Sequence, residues 1–103
     1  MTREYGALPT DAFDRMSGLE ALQSMLAGKL PGAPIARVLN YTLVEVGEGF
    51  AAFEGEATAD FLNPAGTVHG GWAATLLDSA LGCCVHATLA PGERYTTIEM
   101  KMN

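Results

Sequence analysis

The stretch Gly70–Leu89 reads GGWAATLLDSALGCCVHATL and carries one formal charge, Asp78, in twenty residues. Its length and apolarity are those of a membrane span. Three features argue against that reading. Asp78 and His86 would sit in hydrocarbon, small residues outnumber Leu, Ile, Val and Phe, and no Lys or Arg flanks either end closely enough to anchor it. A helix apolar around its whole circumference in a soluble protein is buried all round, as when a sheet wraps it. The stretch is therefore read as a central, buried helix.

Upstream, Phe13, Met16, Leu19, Leu22, Met25, Leu26 and Leu30 recur at three- and four-residue steps. That spacing predicts an amphipathic helix over 11–30, interrupted at Ser17-Gly18, where Ser17 caps a second piece. Between Ile35 and Ala57 the period changes. Leu39, Tyr41 and Leu43 alternate with polar neighbours, and Val44 and Val46 then shift the phase by one, the mark of a bulge or a twist. Gly47-Glu48-Gly49 turns the chain into Phe50–Phe53, so this region is read as a β-hairpin. Thr58–Val68 is a loop around Asn63-Pro64-Ala65-Gly66. Beyond the turn Ala90-Pro91-Gly92, Ile98, Met100 and Met102 alternate with Glu99 and Lys101, which predicts a half-buried strand over 95–102. The pattern is that of one α+β domain over residues 1–103, without internal repeats.

The chain has 103 residues, 49% of them hydrophobic and 17% charged, too apolar for a disordered polymer. Six Lys and Arg against twelve Asp and Glu give a net charge of −6. Such a chain repels phosphates at long range, which argues against nucleic acid and anionic membrane surfaces as partners. An anionic ligand must be held by local donors. The two cysteines, Cys83 and Cys84, are neighbours and form neither an ordinary disulfide nor a zinc site. The first thirty residues contain Glu4, Asp11, Asp14 and Glu20 without an apolar run. A cytoplasmic, reduced chain is expected.

A buried carboxylate needs a partner, so Asp78 calls for a reason. Capping a neighbouring helix or accepting from backbone amides is one. Chemistry is the other, because Asn63, Thr67 and His69 lie just before the helix and Gly70-Gly71 opens it. The first amides of a helix lack internal partners and point outward at its positive end. Two glycines let a polarised carbonyl or oxyanion approach them. Gly70 and Asp78 are eight residues apart, hence about 12 Å along a helix axis and offset by roughly 80° around it. They cannot serve one carbon within a single chain. Two antiparallel copies of the helix would bring Gly70 of one chain toward Asp78 of the other, so two catalytic roles require at least a dimer with composite sites.

The run Asn63-Pro64-Ala65-Gly66-Thr67-Val68-His69-Gly70-Gly71, with Asp78 seven residues on, resembles the hot-dog-fold acyl-CoA thioesterases of the phenylacetic-acid-degradation type. Ser17–Leu22, Val44-Glu45-Val46 and Tyr95–Met102 look like the same family, so the resemblance covers about residues 17 to 103. It implies an antiparallel sheet wrapped around a long central helix, dimers or tetramers, and hydrolysis of an acyl-CoA without metal or cofactor. Carried over, the Gly70 N–H would polarise the thioester carbonyl. Asp78 of the partner chain would be nucleophile or general base, and Asn63 and His69 would position the carbonyl or the lytic water. Gly71 and Trp72 would border the substrate, and Thr97 would place a hydroxyl near the attacking group.

Each role has a packing counterpart. His69 can bond to backbone in its turn, Trp72 can fill the core or line an acyl pocket with Leu76 and Leu77, and His86 and the cysteines read as helix packing. Arg37, Arg94 and Lys101 can meet CoA phosphates or simply be solvated. The acyl group is aromatic or medium-chain on this reading. A non-catalytic hot-dog protein that binds acyl-CoA or a small ligand is the first alternative, and an inactive fragment the second. The resemblance places Asn103 inside a central strand, so the later strands of the sheet are expected to be missing.

Overall fold

The computed structural model describes residues 3–103; residues 1–2 of the expected 1–103 domain lie outside the described residues. The first amphipathic segment forms two helices, α1 (Thr10–Arg15) and α2 (Gly18–Leu26), broken at Ser17. Ser17 Oγ accepts from the Glu20 N–H at 3.1 Å, and Glu20 Oε1 accepts from the Ser17 N–H at 3.0 Å, a reciprocal capping box. Helix α2 stops at Leu26, four residues short of Leu30. Gly28 takes a left-handed φ of 79° and lets the Lys29 N–H reach back to the Ser24 carbonyl at 2.8 Å. Leu22 of α2 is buried with Leu43 and Ala87, the centre of the small core.

Residues 35–38 are not part of the hairpin. Pro34 opens a five-residue helix, α3 (Pro34–Val38), its fixed φ suited to a first helical position. A single turn is too short to display a helical period, so the alternation of the residues that follow masked it. The hairpin proper is β1 (Tyr41–Gly47) with β2 (Phe50–Gly55), antiparallel, from Tyr41 opposite Gly55 to Gly47 opposite Phe50. The register slips between Leu43 and Glu45, at the residue where the apolar phase changes. Gly49, at φ 68°, makes the turn.

Helix α4 (Gly70–His86) lies against β2 at Gly55, where a Cβ would come within 3.0 Å of the Trp72 ring and 2.8 Å of Tyr41 Cβ. The chain just after it meets the start of α2, with the Gly18 N–H donating to the Leu89 carbonyl at 2.9 Å. Helix α4 is not buried on all sides as its composition predicts. Gly82 is the one buried residue of α4, while Leu77, Leu81 and Val85 are 45%, 56% and 50% exposed along one stripe. Two strands set about 5 Å apart cannot encircle a helix roughly 10 Å across. The strand expected over 95–102 is absent as well, and Ile98 is 93% exposed. Alternation becomes a strand only beside another strand, and the sheet among the described residues is β1–β2 alone. The architecture is a mixed one: helices, a two-stranded antiparallel sheet and one long helix, compatible with part of a hot-dog fold. No helix of the described residues is long and apolar enough to cross a membrane.

Candidate active site

The loop before α4 is shaped by Asn63. Its Oδ1 accepts from the N–H groups of Ala65 (3.0 Å) and Thr67 (3.2 Å), and its Nδ2 donates to Thr67 Oγ1 (2.8 Å). An amide that mimics backbone in this way pins a tight turn, completed by Gly66 at φ 82°. The His69 N–H then donates to the Phe61 carbonyl at 2.8 Å, fixing how the chain enters the helix.

His69 is the N-cap of α4. Its Nδ1 accepts from the Gly71 N–H at 2.9 Å, so a neutral ring in this role carries its proton on Nε2. Its carbonyl accepts from the Trp72 N–H at 3.0 Å. The Gly70 N–H, which precedes these two donors, has no hydrogen-bond partner among the described residues. Gly70 is exposed, and a Cβ added to it would meet nothing within 4 Å. Trp72 stacks on Phe61 with centroids 6.0 Å apart, and its Nε1 donates to the Leu39 carbonyl at 2.7 Å. His69, Gly71, Trp72, Phe61 and Leu39 thereby border a shallow hollow of about 230 Å³ at the helix start.

Asp78 belongs to a different region. It is half-buried rather than deeply buried, and Thr97 Oγ1 donates to its Oδ1 at 2.8 Å. Next to it, Ser79 Oγ and Tyr41 Oη lie 2.9 Å apart. Asp78 lines a hollow of about 210 Å³ whose walls include Tyr41, Ser79, Cys83, Tyr95 and Met25. Burial pushes the Cys83 thiol up to about 11, so it is protonated and a poor nucleophile at neutral pH. Burial, followed by the charges of Cys83 and Asp78, also raises the Tyr95 phenol, which therefore stays a hydrogen-bond donor.

The sequence-derived residues thus fall into two groups. Asn63, Thr67, His69, Gly70, Gly71 and Trp72 gather at the start of α4; Asp78 and Thr97 pair about 12 Å further along it. The two hollows share no lining residue. Trp72 and Leu77 do not meet around one pocket, since Trp72 faces Phe61 and Leu77 is exposed. Arg94 is engaged by Asp14 at 3.8 Å and lies over the Phe13 ring. Among the described residues no cluster of three His, Cys, Asp or Glu could hold a metal. Sequence reasoning passed over Tyr41, Ser79, Tyr95, Arg3 and Tyr5. Ser79 had one local signal, its position beside Asp78, and the others become neighbours only through tertiary contacts.

A family model described as the Thioesterase superfamily matches residues 65–103. The matched stretch contains His69, Gly70, Gly71, Trp72, Asp78 and Thr97, and Asn63 lies just outside it. No curated protein and no solved structure matches the chain. The match supports thioester hydrolysis as the class of reaction.

Proposed function

We propose that this chain is an acyl-CoA thioesterase of the hot-dog type, acting on an aromatic or medium-chain acyl group without metal or cofactor. The observation that carries the proposal is the unpartnered N–H of the exposed Gly70 at the positive end of a 17-residue helix. The thioester carbonyl accepts from that N–H. Attack comes from the partner's Asp78, because the chain's own Asp78 is about 12 Å away along α4. As general base, the carboxylate takes a proton from water while the hydroxide adds to the carbonyl carbon. The oxyanion so formed is held by the Gly70 N–H, the C–S bond breaks, and the departing thiolate takes up a proton. As nucleophile, the carboxylate adds to the carbonyl carbon and expels the thiolate, leaving a mixed anhydride that water opens to the free acid and the restored carboxylate. Thiolate is a good leaving group, so neither route needs a strong base.

In this arrangement Asn63 and His69 hold the loop and helix entry in place, and Gly71 and Trp72 border the thioester. Thr97 orients Asp78 through Oδ1, which leaves Oδ2 for the reaction. The enzyme is a homodimer or a tetramer of such dimers. A cytoplasmic setting suits Cys83 and Cys84, because the Cys84 thiol donates to the Gly49 carbonyl while Cys83 turns into the core. Release of free thiol from phenylacetyl-CoA and hexanoyl-CoA tests the proposal. Wild type should turn over at least one, and Asp78→Ala should lose about 10²-fold or more in kcat. Tight acyl-CoA binding without turnover by wild type would instead identify a ligand-binding protein.

A further inference from the structure

The hollow beside Asp78 is roofed by the N-terminal segment. Gly32 donates its N–H to the Glu4 carbonyl at 2.8 Å and accepts from the Gly6 N–H at 3.0 Å, so the chain pairs with it as a parallel bridge at Tyr5. The Tyr5 ring covers Gly32, where a Cβ would lie 3.4 Å from Cδ1 and Cε1. Arg3 Nη1 donates to the Met25 carbonyl at 3.0 Å, a cation set against the negative end of α2. Three anchors therefore hold this segment as a strap across the end of α2.

Arg3 and Tyr5 line the Asp78 hollow, and Gly6, Ala7 and Leu8 line a second hollow of about 380 Å³. Met25, Ala33, Cys83 and Tyr95 line both, so the two lie side by side. The wall chemistry changes along this path. Near Asp78 it carries the hydroxyls of Tyr41 and Ser79; beyond Met25 it is Leu8, Phe13, Leu22 and Pro31, with no Asp, Glu, Lys or Arg.

We propose that the two hollows form the acyl channel of the Asp78 site and that the strap Arg3–Leu8 sets the length of acyl chain it accepts. The inference rests on the thioesterase reading. The first hollow alone, at about 210 Å³, falls below the roughly 300–1,000 Å³ of sites for drug-sized ligands and holds a short acyl group or a single ring. A longer hydrocarbon tail continues past Met25 and Cys83 beneath Gly6–Leu8. The neck at Ala33 and the wall at Leu8 are then the residues that decide specificity.

Hydrolysis-resistant thioether analogues of acetyl-, phenylacetyl-, hexanoyl- and decanoyl-CoA, titrated calorimetrically, test this without requiring turnover. Ala33→Leu narrows the neck and Leu8→Trp fills the far hollow. Both should weaken the decanoyl analogue at least about tenfold while the acetyl analogue stays within about twofold. Thermal melts confirm that each variant is folded. Folded variants that shift every length equally, or none, would overturn the channel even if thioesters are hydrolysed. A length-selective shift in a protein that hydrolyses no thioester would uphold the channel and overturn the thioesterase. Failure of wild type to bind any analogue would overturn both.

Discussion

Gly70 and Gly71 are neighbours of identical chemistry, yet a methyl group added to each meets different surroundings. At Gly70 it would touch nothing within 4 Å, whereas at Gly71 it would lie 3.0 Å from His69 Nδ1. The imidazole that caps α4 must then yield, at a cost of about 0.5–2 kcal/mol for a damaged N-cap. Gly70→Ala leaves the cap alone and trims the flexibility of the unfolded chain, so stability should hold or rise by up to ~1 kcal/mol. Its methyl group is expected instead to crowd a carbonyl that approaches the free N–H of the same residue. Urea denaturation and thiol release measured on the same preparations separate the two. Gly71→Ala should lose stability, and Gly70→Ala should keep stability while losing about tenfold or more in kcat/KM. An unstable Gly70→Ala, or one as active as wild type, would contradict the role given to that amide. Asn63 belongs to the same scale: its three side-chain hydrogen bonds hold the loop, and this is its role within one chain.

The elements that could be read from the sequence are those fixed within a few residues of themselves. Ser17 with Glu20, the phase slip beside Val44 and the Asn63 turn each carry their partners nearby, and each forms where expected. Helix α3, one turn behind a proline, is too short to show a period, while the coverage of α4 on one side and the unpaired state of residues 95–102 depend on distant neighbours. Among the distant contacts is the junction of the last turn of α4 with α1 and the segment after Pro91. His86 packs edge-on to Phe13 at 6.1 Å and beside Tyr95 at 5.8 Å, while Arg94 lies over the same Phe13 ring. Burial lowers the His86 pKa from its ordinary 6.5, so folding favours the neutral ring. The contribution is complete above pH 6.5 and is lost as pH falls through the lower, folded value. Wild type should therefore become less stable between pH 7.5 and 5.5 in urea titrations. His86→Phe, which keeps an aromatic ring there, should flatten that slope, and an unchanged slope would assign the acid sensitivity to another group.

At the scale of the whole molecule, the separation of Gly70 and Asp78 along α4 was legible from spacing, whereas the separate hollows beside His69 and Asp78 arise from distant contacts. Helical geometry also relates the exposed face of α4 to both residues. Leu77 and Leu81 lie within about 20° of Gly70 around α4, so the open donor continues the exposed apolar stripe. Such a stripe is costly to leave in water. Antiparallel pairing of two copies about Ala74, midway between Gly70 and Asp78, covers part of it and brings each Gly70 toward the partner's Asp78. The net charge of −6 on each copy opposes association, so pairing should tighten as salt screens the repulsion. Sedimentation should show dimers or larger species at micromolar concentration, and Leu77→Glu with Leu81→Glu should yield inactive monomers. The decisive experiment mixes two inactive proteins, Gly70→Leu and Asp78→Ala. Random exchange makes half the dimers mixed, each with one intact site of two, so about one quarter of wild-type activity should return. No recovery after verified subunit exchange, or an active monomer, would place the donor and the carboxylate of a working site within a single chain and remove the composite site.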